Sequence, residues 1–237
     1  MEPIKLKLPG ENDFFTEEAF KVLRTNLQFC GQDIRVIAIT SCNENEGKST
    51  VSLRIAKSFA DLDKRVLLID SDMRKSVLAG RNTNVQEHNG LCEVLTGMCS
   101  VSECLHPVLN SKLHILFAGQ YPPNPVELLS GKYFAALIAE CRKVYDYIII
   151  DTPPLGQVID AAVIAEKCDG AVLVIGNSKV HYRVAQDVVD QINKSGCKML
   201  GVVRNNRKKQ SRKYYYRKYY RHDRAYKART TWNGKGE

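Results

Sequence analysis

The chain has 237 residues, 44% of them hydrophobic, which suits one soluble domain with a substantial core and is short for two. No apolar run approaches the roughly 18 residues needed to span a bilayer, and Met1-Glu2-Pro3-Ile4-Lys5 opens no secretory segment, so a cytoplasmic protein is expected. The net charge of +9 is unevenly spread: residues 207–229 hold eleven Lys/Arg against Asp223, while residues 1–206 carry a net −1.

Residues 1–13, with Pro3, Pro9 and Gly10, read as an extended arm. Phe14–Phe29 follows as a helix, with Phe15, Ala19, Val22, Leu23 and Leu27 as its apolar stripe and Thr16 as its expected N-cap. Val36–Thr40 is a strand, and a helix beginning after Thr50 runs to about Leu62. Val66–Asp70 is a second strand, and the polar stretch Ser76–Glu87 reads as a loop. A short helix opens at Asn89-Gly90-Leu91, runs through Leu95 and is closed by Gly97. Leu113–Phe117 is a strand, and Gln120-Tyr121-Pro122-Pro123-Asn124-Pro125 is irregular. Val126–Val144 is helical with a break near Gly131. Then come a strand over Tyr147–Asp151, a helix over Asp160–Lys167, a strand over Gly170–Ile175, a helix over Val180–Lys194 and a strand over Met199–Val203.

Strands alternating with helices predict an α/β fold, a doubly wound and mainly parallel sheet with helices on both faces, although strand order is not legible. Residues 1–206 form this domain. From residue 207 to 237 apolar periodicity is lost, and a disordered tail is expected. The eight cysteines form no Cys-x-x-Cys pair and read as reduced, mostly buried thiols.

Chemistry concentrates where apolar strands end. After Val36–Thr40 comes Ser41-Cys42-Asn43-Glu44-Asn45-Glu46-Gly47-Lys48-Ser49-Thr50, a polar loop leading into a helix. That arrangement points backbone N–H groups and the helix dipole at a phosphate, with a lysine charge and a hydroxyl for magnesium. The strict loop pattern has glycine where Cys42 stands. The strand ending at Asp70 continues into Ser71-Asp72-Met73-Arg74, and Ile148-Ile149-Ile150 ends at Asp151 before Thr152-Pro153-Pro154. Unbroken apolar runs belong to parallel strands covered on both faces, and ligands bind at the carboxyl ends of such strands. The loop and three aspartates therefore converge on an expected Mg-nucleotide crevice.

Together with the tyrosine-rich tail, these motifs resemble the bacterial tyrosine kinases of capsule and exopolysaccharide synthesis, the CpsD/CapB-like BY-kinase family. Pro123-Asn124-Pro125-x-Glu127-Leu128-Leu129 is similar to another segment of that family. The resemblance covers nearly the whole chain from about Phe14. It implies a P-loop NTPase fold like that of MinD and ParA, with ATP and Mg2+ as cofactors and protein-tyrosine phosphorylation as the reaction. Gly47, Lys48, Ser49 and Thr50, with Asn45 and Glu46 in the loop, would hold the phosphates. Ser49, Asp72 and Asp151 would serve the metal. Asp70 would be the base toward the tyrosine hydroxyl, Arg74 of the second motif would contact the nucleotide, and Asn205 would lie near the adenine.

The resemblance further implies a ring-shaped homo-oligomer in which one subunit's tail is phosphorylated by its neighbour at Tyr214, Tyr215, Tyr216, Tyr219, Tyr220 and Tyr226. Glu18-x-x-Lys21-x-x-Arg24 resembles the ring-interface motif, with Lys21 where the family carries arginine; on spacing alone it is a solvated charge pattern. A transmembrane modulator would supply an activating cytoplasmic tail and hold the kinase at the inner face of the membrane. Other protein substrates fit the same reading, and nucleic acid is not an expected partner.

Two other classes compete. A MinD/ParA-type positioning ATPase would use the basic tail to bind DNA or membrane, but its signature lysine is replaced here by Asn43. A nucleic-acid-binding protein would use the tail's cations and rings directly.

Overall fold

The apolar runs that end at residues 40, 70 and 151 lie side by side in one sheet. In the computed structural model, which describes residues 3–6, 8, 13–82, 89–176 and 180–205, these are strands β1 (Val36–Ser41), β2 (Val66–Asp70) and β5 (Tyr147–Asp151). The tail expected from residue 207, with its six tyrosines and its disorder, lies outside the described residues.

Four more strands complete a sheet of seven: β3 (Leu105–Pro107), β4 (Leu113–Leu116), β6 (Gly170–Ile175) and β7 (Lys198–Arg204). Their order is β3-β4-β2-β5-β1-β6-β7, parallel throughout except for the antiparallel edge pair β3–β4. β5 is thereby inserted between β1 and β2, and Asp70 is the register partner of Asp151. The N-terminal arm adds a bridge at the β3 end: Ile4 N–H donates to the Pro107 carbonyl, and Ile4 accepts from Leu109 N–H.

The helices are α1 (Phe14–Phe29), α2 (Lys48–Ala60), α3 (Leu78–Asn82), α4 (Leu91–Leu95), α5 (Val101–Cys104), α6 (Pro125–Ser130), α7 (Lys132–Val144), α8 (Asp160–Ala165) and α9 (Tyr182–Lys194). Alternate strand residues face opposite layers. Ile37, Ile39, Leu68 and Ile149 pack with Phe59 of α2 and Leu27 of α1. Leu67, Ile69, Ile148 and Ile150 pack with Phe134 and Ile138 of α7 and Ile164 of α8, and Ala171 and Leu173 pack with Val188 and Ile192 of α9. The doubly wound reading holds.

Several local expectations change. Thr16 is not the N-cap of α1: the helix starts at Phe14 behind Asp13, and the Thr16 hydroxyl donates back to Asp13 Oδ2 at 2.7 Å. Nor is the stripe on α1 the expected one. Phe20, Leu23 and Leu27 meet the core, whereas Phe15, Ala19 and Val22 face outward, because α1 carries apolar residues on two faces and only one packs on α2. Within the stretch 76–87 expected to be a loop, Leu78–Asn82 is helical, anchored by the buried Leu78; residues 83–88 lie outside the described set. The short α5 and β3 carry too few residues to leave a periodic signal. Every cysteine is a free thiol, with Cys42, Cys92, Cys104, Cys141 and Cys197 buried. Among the described residues no helix is long and apolar enough to cross a membrane.

Candidate active site

The loop from Cys42 to Gly47 turns the chain from β1 into α2, and its shape depends on two side chains. Glu46, buried, accepts from the Cys42 and Asn43 N–H groups, both at 2.9 Å, and closes the loop on itself. Gly47 has φ +86°, and a Cβ there would stand 1.9 Å from the Asn205 amide nitrogen. Only glycine satisfies both the left-handed backbone and that approach. Asn205, just past β7, donates to the Glu46 carbonyl at 2.9 Å. Asn205 thus braces the loop, a contact that the motif did not foretell. Asn45 also takes a positive φ, of 60°.

Lys48 opens α2 and reaches inward, its Nζ 2.9 Å from Asp72 Oδ2. Burial works against its charge, but Asp151 and Asp72 outweigh burial and hold the lysine above its usual pKa. Ser49 and Thr50 occupy the first turn of the helix, Ser49 buried and Thr50 half-buried. Ser52, one turn on, was not singled out from sequence; its hydroxyl donates to Asp151 Oδ1 at 3.0 Å.

The three aspartates are buried together at the ends of β2 and β5. Asp70 accepts the Ser76 hydroxyl at 2.6 Å and the Asp72 N–H at 3.1 Å. Its burial, followed by the nearby Asp151 charge, pushes its carboxyl up to about 8. Burial also raises Asp151, against the pull of Lys48 and of the nearby Ser49 and Ser52 hydroxyls.

Arg74, expected at the nucleotide, instead makes a forked pair with Asp160: Nε to Oδ2 at 2.8 Å and Nη2 to Oδ1 at 3.1 Å. Asp160 read only as a helix start in the sequence, yet it is a fourth buried aspartate beside the crevice. The pair ties the loop after β2 to α8. At the rim, Lys75 pairs with Glu44 of the phosphate loop at 2.5 Å.

The expected interface residues separate. Glu18 and Lys21 pair with each other on the surface at 2.6 Å. Arg24 turns inward, donating to the Ser58 carbonyl at 2.7 Å and to its hydroxyl at 3.1 Å, which pins α1 to α2.

This donor set fits a magnesium nucleotide. Asp151 Oδ2 is buried with no hydrogen-bond partner among the described residues, beside the Ser49 hydroxyl. An orphaned carboxylate oxygen costs free energy unless something pairs with it. Among the described residues no three His, Cys, Asp or Glu side chains gather as a cage. Magnesium suits such a place, since it takes one or two carboxylates and completes its shell with water and phosphate.

Comparison with known proteins identifies the family. An AAA domain family model matches residues 34–195. Tyrosine-protein kinase CpsD of Streptococcus agalactiae is 40% identical over 190 residues, covering 80% of this chain and 83% of that protein. Tyrosine-protein kinase YwqD of Bacillus subtilis is 36% identical over 195 residues, covering 81% of each. Among solved structures, the kinase domain of Escherichia coli tyrosine kinase ETK superposes with a TM-score of 0.77 at 28% identity, covering 82% of this chain and 77% of that one. MinD of Pyrococcus horikoshii, at 24% identity and a TM-score of 0.61 over 75% of this chain and 72% of that one, shares the fold. The chain belongs to the bacterial tyrosine-protein kinase (BY-kinase) family, and it is a nucleotide-binding protein-tyrosine kinase.

Proposed function

We propose that this kinase uses Mg-ATP to phosphorylate the tyrosine cluster of its own tail, one copy acting on another, and so regulates capsule or exopolysaccharide synthesis. The observation that carries the reaction is the meeting of Lys48, Asp70, Asp72 and the unpartnered oxygen of Asp151 at the ends of β2 and β5.

Phosphoryl transfer asks the protein for position and charge neutralisation rather than covalent chemistry. Ser49 and Asp151, with Asp72, would hold magnesium, which when bound screens the charge of the phosphates. Lys48 and the amides of residues 45–50 serve the β- and γ-phosphates. Asp70 takes the proton of the acceptor hydroxyl, whose reference pKa near 10 makes it a poor nucleophile unaided. The tyrosine oxygen forms the new bond to phosphorus, the bond to ADP breaks, and the proton rests on Asp70 Oδ.

The tail reading draws on charge as well. Each phosphotyrosine brings about −1.5 to −2 charge, so modifying six would cancel a surplus of ten positive charges and switch the tail between bound and released states. A transmembrane modulator would complete the active assembly and keep the kinase at the inner face of the membrane.

The test is incubation of the chain with Mg-ATP, with and without a candidate modulator's cytoplasmic tail, followed by mass spectrometry. Phosphate on Tyr214, Tyr215, Tyr216, Tyr219, Tyr220 or Tyr226, absent in Lys48→Met, is the expected result. Hydrolysis of ATP without phosphotyrosine under both conditions would favour the positioning-ATPase class.

A further inference from the structure

Asp151 is held at its main chain and at one carboxylate oxygen, and free at the other. Its carbonyl accepts the Ser71 N–H at 2.8 Å and the Ser71 hydroxyl at 2.6 Å. Oδ1 accepts the Ser52 hydroxyl at 3.0 Å, and Oδ2 has no hydrogen-bond partner among the described residues. Asp151, Ser52 and Ser71 are all buried.

Ser52 reaches Asp151 because it lies four residues after Lys48 on α2, one turn further along the same face, where α2 packs on β5. Its hydroxyl has one proton and two acceptors, the Lys48 carbonyl at 2.9 Å and Asp151 Oδ1 at 3.0 Å. An ionised carboxylate is the stronger acceptor, so the proton goes to Oδ1 whenever Asp151 carries its charge. The last torsion of an aspartate is broad, with no staggered well to hold it. The Ser52 bond sets that torsion and, with it, the direction of Oδ2. Serine is a poorer helix former than alanine, and its hydroxyl must be paired once buried, so packing alone gives no reason for serine at position 52.

We propose that Ser52 is a positioning residue for the metal: by holding Oδ1, it keeps Asp151 Oδ2 oriented and free for the magnesium that accompanies the nucleotide. This rests on the magnesium reading of Asp151 and Ser49 above and adds a residue that touches neither metal nor phosphate.

The consequence lies in metal affinity. Magnesium demands near-octahedral geometry and takes only one or two protein carboxylates, so the aim of a single oxygen counts heavily. Groups that orient a metal ligand from behind govern affinity by about 10–100-fold when removed. Nucleotide binding without metal depends instead on Lys48 Nζ and the amides of residues 45–50.

The experiment titrates magnesium into the full chain with ADP, reading ADP affinity by calorimetry, with affinity in EDTA as the metal-free reference. Manganese in place of magnesium, followed by EPR, reads bound metal directly. Ser52→Ala is expected to raise the magnesium concentration for half-effect by roughly 10–100-fold, with ADP affinity in EDTA little changed. Alanine is the better helix former, so α2 persists in this variant. Ser71→Ala is the control: it removes a hydroxyl from the Asp151 carbonyl rather than the carboxylate, and its magnesium requirement should stay near that of the unsubstituted chain. In phosphotransfer to tyrosine, Ser52→Ala should regain most of its rate as magnesium is raised. An unchanged magnesium requirement in Ser52→Ala, an equal loss of ADP affinity with and without metal, or an equal shift in Ser71→Ala would overturn the positioning role and leave the magnesium reading intact. ADP binding by the unsubstituted chain that is indifferent to magnesium would overturn the magnesium reading and the role of Ser52 with it.

Discussion

Asp70 and Asp151 stand in register on neighbouring strands, both shut away from solvent, at the centre of the sheet. Two carboxylates so placed do not ionise independently, and burial raises both, Asp70 to about 8. The sign of the consequence follows. A carboxyl whose folded pKa lies above its unfolded value binds more protons in the native state. Stability is therefore lost as pH rises from about 4 toward 8. Asp70→Asn should stabilise the nucleotide-free protein by at least about 1 kcal/mol at pH 9 and far less at pH 5, since one pKa unit is worth about that much. Denaturant titrations at the two pH values check it; equal effects at both would contradict the raised carboxyl.

Lys48 has two duties that separate on mutation. Lys48→Met should lower phosphotransfer by roughly 10²–10³-fold, the usual cost of losing one charge stabiliser at a transferring group. It should also lower the melting temperature at neutral pH, because the buried Asp72 carboxylate then loses its cation. Activity and melting curves on one preparation distinguish the two.

Removing Arg74 leaves the buried Asp160 carboxylate without its partner. Arg74→Ala should therefore cost about 1–3 kcal/mol, Arg74 being partly exposed, and adding Asp160→Asn should recover part of that loss. Arg74→Lys keeps the charge but not the fork, and an intermediate stability is expected. Urea unfolding of the unsubstituted protein, Arg74→Ala, Asp160→Asn and the double variant gives the coupling directly; strictly additive losses would mean the pair is not coupled.

On α1, Arg24 and Lys21 should behave differently even though both belong to one i,i+3 series. Arg24→Ala breaks two hydrogen bonds to Ser58 and should cost about 1–2 kcal/mol. Lys21→Ala removes an exposed pair with Glu18 and should change stability by less than about 0.5 kcal/mol. Any effect of Lys21→Ala on assembly size, read by light scattering, would then reflect the oligomer interface rather than the fold.

Much of the site could be read before the fold was known, for a local reason. A phosphate loop, a strand ending in carboxylates and the helix that follows are contiguous in sequence, so residues 45–50, 70, 72 and 151 announce themselves by pattern. Runs such as Ile148-Ile149-Ile150, apolar without alternation, also demand a sheet covered on both faces. The tertiary structure decided what contiguity cannot express. Strand order places β5 between β1 and β2, and only then do Asp70 and Asp151 become partners. The same order brings Asp160 to Arg74 and Asn205 under Gly47, and the packing of α1 on α2 brings Ser58 to Arg24. Each of these contacts joins residues far apart in the chain whose local patterns are ordinary: a helix start, a strand end, a mid-helix serine. Their meaning comes from packing, because a hydrogen bond or ion pair depends on distance in space, whereas periodicity records only which face of an element is apolar.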